Sequence, residues 1–103
     1  MPTNEPRILS GAWHDFYRAR SWYEDEREDL AYRFEAALDT AVAEILRSPQ
    51  SWPRLGRSRK HRYRLLRSFP FYIVYFIDGS EVVITAIAHM KRRPGYWRKR
   101  RRR

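Results

Sequence analysis

The chain has 103 residues and a net charge of +10, with 43% hydrophobic and 33% charged residues. That is one domain's worth of sequence, able to bury roughly two-thirds of its unfolded surface without covalent help. It has no cysteine, which excludes disulfides and thiolate metal sites. It also has no apolar run near the ~20 residues of a membrane helix. A single cytoplasmic domain spanning 1–103, without membrane attachment, metal or other cofactor, is expected.

The charge is unevenly placed. Residues 1–47 hold six Lys/Arg against ten Asp/Glu, whereas residues 48–103 hold sixteen Lys/Arg against only Asp78 and Glu81. Such asymmetry steers polyanions or acidic proteins toward one part of the surface.

In chain order, residues 6–10 suggest a short strand, and Ser10 a helix N-cap. A helix over 11–23 would place Ala12, Phe16, Ala19 and Tyr23 on one face, beside Trp13 and Tyr17. Glu24–Asp29 reads as a connection. A clearer helix follows over 28–48, where Leu30, Phe34, Leu38, Ala41, Val42, Ile45 and Leu46 form a continuous stripe. Glu28 and Asp29 suit its N-terminal dipole, and Pro49 stops it. The two helices should form an antiparallel hairpin.

After an irregular stretch, strands are expected over 62–68, 71–77 and 81–88, the last two joined by a tight turn at Asp78-Gly79. Both of these strands are apolar on two faces. Phe71, Ile73, Tyr75 and Ile77 alternate with Tyr72, Val74 and Phe76; strict alternation likewise sets Val82, Ile84, Ala86 and Ala88 against Val83, Ile87 and His89. A helical hairpin covers only one face. The other needs the C-terminal segment with Tyr96 and Trp97, a second copy, or a partner chain; an obligate partner is the preferred reading. Residues 91–103 contain nine basic residues and no acid. A short helix opening at Pro94-Gly95 and a flexible basic tail over 98–103 are expected.

Catalytic signals are sparse: no phosphate-binding glycine loop, nucleophile elbow or metal-ligand spacing is present. His14 on a helix surface and His61 in a basic loop read as bland. His89 ends the last strand near Tyr96. With Arg62 or Arg64, these residues have the types needed for metal-free RNA cleavage: an acid, a base and a cation at the phosphate. Packing of His89 against the sheet, fixing the next turn, is the preferred alternative. The basic stretches offer Arg59, Lys60, Arg62, Arg64, Arg67, Lys91, Arg92 and Arg93, with Trp97, as candidates for binding nucleic acid or an acidic protein segment.

Several motifs occur in an order that resembles RelE/ParE-type toxins. Ala12-x-x-Asp15-Phe16 with Trp22-Tyr23-Glu24 is similar to the family's first helix. Leu30-x-x-x-Phe34, Ile45 and Pro49 near Trp52-Pro53 resemble the second helix and its exit. Phe69-Pro70-Phe71-x-Ile73-x-Tyr75 resembles a strand motif of the ParE-like branch, and His89–Trp97 the C-terminal signature. The resemblance implies a two-layer α+β fold, β-α-α-β-β-β, with the helical hairpin on a small antiparallel sheet. It also implies the growth-inhibiting toxin of a type II toxin–antitoxin (plasmid stabilisation) module, forming a hetero-oligomer with its cognate antitoxin. ParE-like members inhibit DNA gyrase without nuclease chemistry, the reading preferred here. RelE-like members cleave mRNA on the ribosome; in that case His89, Tyr96 and Arg62 would be catalytic. A non-toxic nucleic-acid-binding module is the remaining alternative.

Overall fold

The computed structural model describes residues 5–100. The element order is β1 (Arg7–Ile8), α1 (Ser10–Glu26), α2 (Glu28–Arg47), β2 (Arg62–Leu65), β3 (Phe71–Asp78) and β4 (Glu81–His89). The strands form one sheet in the order β1-β4-β3-β2, with the helical hairpin on one face. The expected two-layer layout holds with one refinement. β1 runs parallel to β4, since the whole hairpin lies between it and the later strands; the other pairings are antiparallel.

The α1 helix runs further than its apolar pattern, through the acidic residues to Glu26. Glutamates are good helix formers, and solvent-facing charge does not terminate a helix. Its N-cap is Leu9, so Ser10 is already helical. One extended residue, Arg27, joins the helices; its N–H donates to Tyr23 O at 2.8 Å, and its guanidinium pairs with Asp29. The α2 stripe buries Ala31, Phe34, Leu38, Ala41 and Ile45. β2 ends at Leu65, short of the expected Ser68, because the chain turns there with Ser68 at φ +67°. At the β3–β4 hairpin, Gly79 takes the first central position with φ +63°, a backbone that a side chain would strain.

The Phe-Pro-Phe motif works as core. Phe69 and Phe71 pack with Tyr23 and Phe34, with ring centroids 5.1–5.4 Å apart for the Phe69 and Phe34 contacts and 6.2 Å for Tyr23–Phe71. Edge-to-face pairs of this kind add about 0.5–1.5 kcal/mol each beyond area burial.

Strict alternation along β4 fails at one point. Val74 pairs with Ala86 but Tyr75 pairs with Ile84, leaving Thr85 as the extra residue of a β-bulge. The bulge flips the side-chain phase: Val82 and Ile84 face the helices, and after it Ile87 does, while Ala86 joins the opposite face.

That opposite face is covered by the chain itself, which corrects the expectation that the sheet leaves an apolar face for another chain to cover. Trp97, 1% exposed, packs on Val74 and Ala86 with Leu55, Tyr72 and Tyr96 around it, while Leu9 covers Phe76 and Val83. His61 lies beneath the same lid, with its ring 4.6 Å from Trp97 and 5.4 Å from Phe76. It is therefore not a bland loop residue. Ser58 Oγ lies 2.8 Å from its Nδ1.

Burial, then the nearby charges of Lys60 and Arg98, push the His61 pKa down to about 4. The ring is neutral in the fold but is protonated below its ordinary 6.5 when unfolded. Its contribution is thus fully present above pH 6.5 and lost as pH falls from 6.5 to 4. Urea unfolding across that window should show a loss of about 2–3 kcal/mol that disappears in His61→Gln. Parallel pH profiles for the two proteins would refute this.

Candidate binding site at the α1–β4 junction

β1 ends at Ile8, and the chain enters α1 two residues later, so beyond Ile84 the outer edge of β4 meets a helix instead of a strand. Buried backbone groups left there need other partners. Asp15 provides one: its Oδ2 accepts from Ile87 N–H at 3.0 Å. Arg100 provides the other, donating to Thr85 O at 3.0 Å while its guanidinium grips both Asp15 oxygens at 2.7 and 3.1 Å. Tyr96 Oη also donates to Asp15 Oδ2, at 3.1 Å. The Asp15 side chain is only 2% exposed. One carboxylate on α1 thus ties down the bulge and the C-terminal segment together.

In the sequence Asp15 belongs to the Ala12-x-x-Asp15-Phe16 motif, which by itself assigns it no role. The available signal was its position, three residues after Ala12 and four before Ala19, inside the apolar stripe of α1. The same network bears on the expected basic tail. Arg100 is held in the fold, and residues 95–100 make turns (Gly95 O to Arg98 N–H, Trp97 O to Arg100 N–H, both 3.0 Å) in place of the expected helix. Residues 101–103 lie outside the described residues.

Next to this network is a cavity of about 340 Å³ between α1 and the end of β4. Ala19, Tyr23, Phe71 and Ile87 form its apolar part; Arg18, His89, Arg92 and Tyr96 its polar part; Trp22, 60% exposed, stands at its mouth. The His89 ring sits 4.9 Å from that of Phe71, and its Nδ1 accepts from Lys91 N–H at 3.0 Å, holding the turn after β4. The neutral ring therefore carries its proton on Nε2. The Arg92 guanidinium lies 3.7 Å from the Tyr96 ring centroid and 3.8 Å from Asp15 Oδ1. Burial, and then the adjacent Asp15 carboxylate, raise the Tyr96 pKa well above the ordinary phenol range.

The other predicted residues are dispersed. Arg62, the cation named with His89 and Tyr96 for the cleavage reading, does not converge with them. It pairs with Tyr75, whereas His89 pairs with Phe71, and two strand spacings and four residues put Arg62 roughly 16 Å from His89. Its Nη1 is occupied by Trp52 O at 2.7 Å. Arg64 bonds Glu44 at 2.8 Å and stacks 4.5 Å from the Trp52 ring; Arg67 approaches the same Glu44 at 3.9 Å. Arg59 and Lys60 belong to the loop over the far face, where Lys60 Nζ lies 4.3 Å from the Phe76 ring. Lys91 and Arg93 are exposed. Trp97, expected on a binding surface, is a core residue. No helix of the described residues is long and apolar enough to cross a membrane.

Comparison with known proteins agrees with this architecture. The family described as the ParE toxin of type II toxin–antitoxin systems, parDE, matches residues 7–94. Toxin ParE2 of Mycobacterium tuberculosis, in strains CDC 1551/Oshkosh and H37Rv, is 27% identical over 93 residues, which is 89% of this chain and 87% of the relative. In fold, a chain from the chromosomal ParDE TA system of P. aeruginosa superposes with a TM-score of 0.69 at 17% identity, covering 86% of this chain and all of that one. With nearly the whole described domain inside the family's bounds, the chain belongs to the ParE toxin family of type II toxin–antitoxin systems.

Proposed function

We propose that this chain inhibits growth by binding DNA gyrase, and that a cognate antitoxin holds it inactive. The observation that carries the choice of binding over chemistry is the placement of the acid–base groups. RNA cleavage needs an acid, a base and a cation around one phosphate. Here the Tyr96 hydroxyl is already donated to Asp15, and Arg62 is bound to Trp52 O on a different part of the sheet. His89 is used to hold a turn. The α1–β4 cavity suits an acidic, partly apolar segment of the antitoxin. Arg18 and Arg92 would take its carboxylates, and Trp22 and Phe71 its apolar side chains.

A second reading, ribosome-dependent mRNA cleavage, is favoured by the fact that His89, Arg92 and Tyr96 do share one cavity. The His89→Ala/Tyr96→Phe variant separates the two. Under gyrase inhibition, growth arrest and inhibition of supercoiling by purified gyrase persist within a few-fold. Under mRNA cleavage, removing an acid or base lowers the rate by ~10²–10⁴-fold. Loss of toxicity with an unchanged circular dichroism spectrum, together with cleaved transcripts in cells expressing the parent chain, would reverse the assignment.

A further inference from the structure

The far face of the sheet carries a second charged feature, distinct from the α1–β4 cavity. Packing of Trp97 against His61 brings together two basic segments nearly forty positions apart in sequence. Lys60 and Arg98 line one depression with His61 and Phe76. Arg57 and Arg59 precede Lys60 in the same loop, and Lys99 follows Arg98; all five cations are exposed.

Carboxylate contact divides the cations of the described residues into two groups, and these five fall with those that lack it. Arg7, Arg20, Arg27, Arg33, Arg64, Arg67, Arg92 and Arg100 all contact carboxylates. Among the described residues, none of these five forms an ion pair. Asp78 contributes a carboxylate to the rim of the depression, and Arg100, which also lines it, is committed to Asp15. The excess of positive charge is therefore large and local.

The chemistry around the cations narrows the partner. Protein interfaces are anchored by apolar or aromatic side chains in desolvated pockets, and single-stranded nucleic acid is held by stacking on exposed rings. Here the rings are already spent: Trp97, Phe76 and His61 are all buried. What remains is a set of long cationic side chains over a closed surface, which suits regularly spaced phosphates and reads no bases. We infer that the Lys60–Arg98 face binds the phosphodiester backbone of a nucleic-acid duplex, without sequence preference. This inference is independent of the toxin's target.

The test is fluorescence anisotropy of the full chain with a labelled DNA duplex of arbitrary sequence, repeated over a range of salt. Each phosphate contact contributes about 0.9 to the slope of log K against log salt. Lys60→Gln/Arg98→Gln should lower that slope by about 2 and weaken all duplexes alike, whereas Arg33→Gln/Arg47→Gln on α2 should leave it unchanged. An RNA duplex in parallel shows whether helix form matters. A second readout does not depend on substitutions: the ring resonances of His61 should titrate at higher pH when duplex is bound, because phosphate offsets the Lys60 and Arg98 charges. An unchanged slope in the Lys60→Gln/Arg98→Gln protein would overturn the inference. So would competition by polyglutamate as effective as by DNA at equal charge, which would assign the face to an acidic protein, or an unmoved His61 titration.

Discussion

Replacing Asp15 with alanine should remove about 3–5 kcal/mol of stability, the cost typical of breaking a buried ion pair by deleting one partner. The loss combines three effects on one site. The Arg100 guanidinium loses its counter-charge while remaining partly buried; Ile87 N–H loses its acceptor at the bulge; and the Tyr96 hydroxyl loses its partner. Against the ~5–15 kcal/mol that holds a domain of this size together, the variant would sit near the edge of folding. Urea unfolding measures the total, and amide exchange over residues 91–100 tests the mechanism, since protection there should fall more than in α2. Asp15→Asn keeps an acceptor for Ile87 and should cost less. Gly11→Ala approaches the same lock from the other side, because a Cβ there would lie 2.5 Å from Arg100 Nε. If Asp15→Ala cost under ~1 kcal/mol, the expectation from burial and pairing would be wrong.

Trp97→Ala should cost a similar amount, about 3–5 kcal/mol, for a different reason: a cavity opens where the indole covers Val74 and Ala86. His61 would lose a ring contact at the same time and become more accessible to water. Trp97→Phe should recover much of the loss. The indole N–H has no acceptor among the described residues, so only ring volume is sacrificed. Thermal or urea melts of the three proteins provide the comparison; near-equal losses for Ala and Phe would show that the N–H, and not the packing, matters. Asp15 and Trp97 hold the same segment, so their effects should not add. A double-mutant cycle should return a coupling of about 0.5–3 kcal/mol. Strict additivity would mean that the C-terminal segment does not dock as a unit.

Much of the architecture is a property of local pattern. The α2 stripe from Leu30 to Leu46 repeats at helical spacing and so predicts its buried face almost residue by residue. The Asp78-Gly79 turn and the apolar runs on either side of it specify the β3–β4 hairpin, because turn chemistry and alternation act over a few neighbouring residues. The charge asymmetry of the two halves is likewise a plain count.

What that count does not contain is pairing. Whether an arginine faces water, a carboxylate or a carbonyl depends on residues brought near by folding, and on that basis Arg62, Arg92 and Lys60 fall at three separate places instead of one patch. The bulge at Thr85 is similarly invisible in the alternation of β4, since one extra residue is defined only against the partner strand; it moves Ala86 to the far face and leaves Ile87 facing the helices. Trp97 amid arginines reads equally as a surface anchor or as a cover for the sheet, and only the folded sheet decides for the cover. Asp15 looks like one more acidic residue of an acidic half. It becomes the closing point of the fold only because β1 stops where α1 starts, leaving backbone groups of β4 that a buried carboxylate and Arg100 must satisfy.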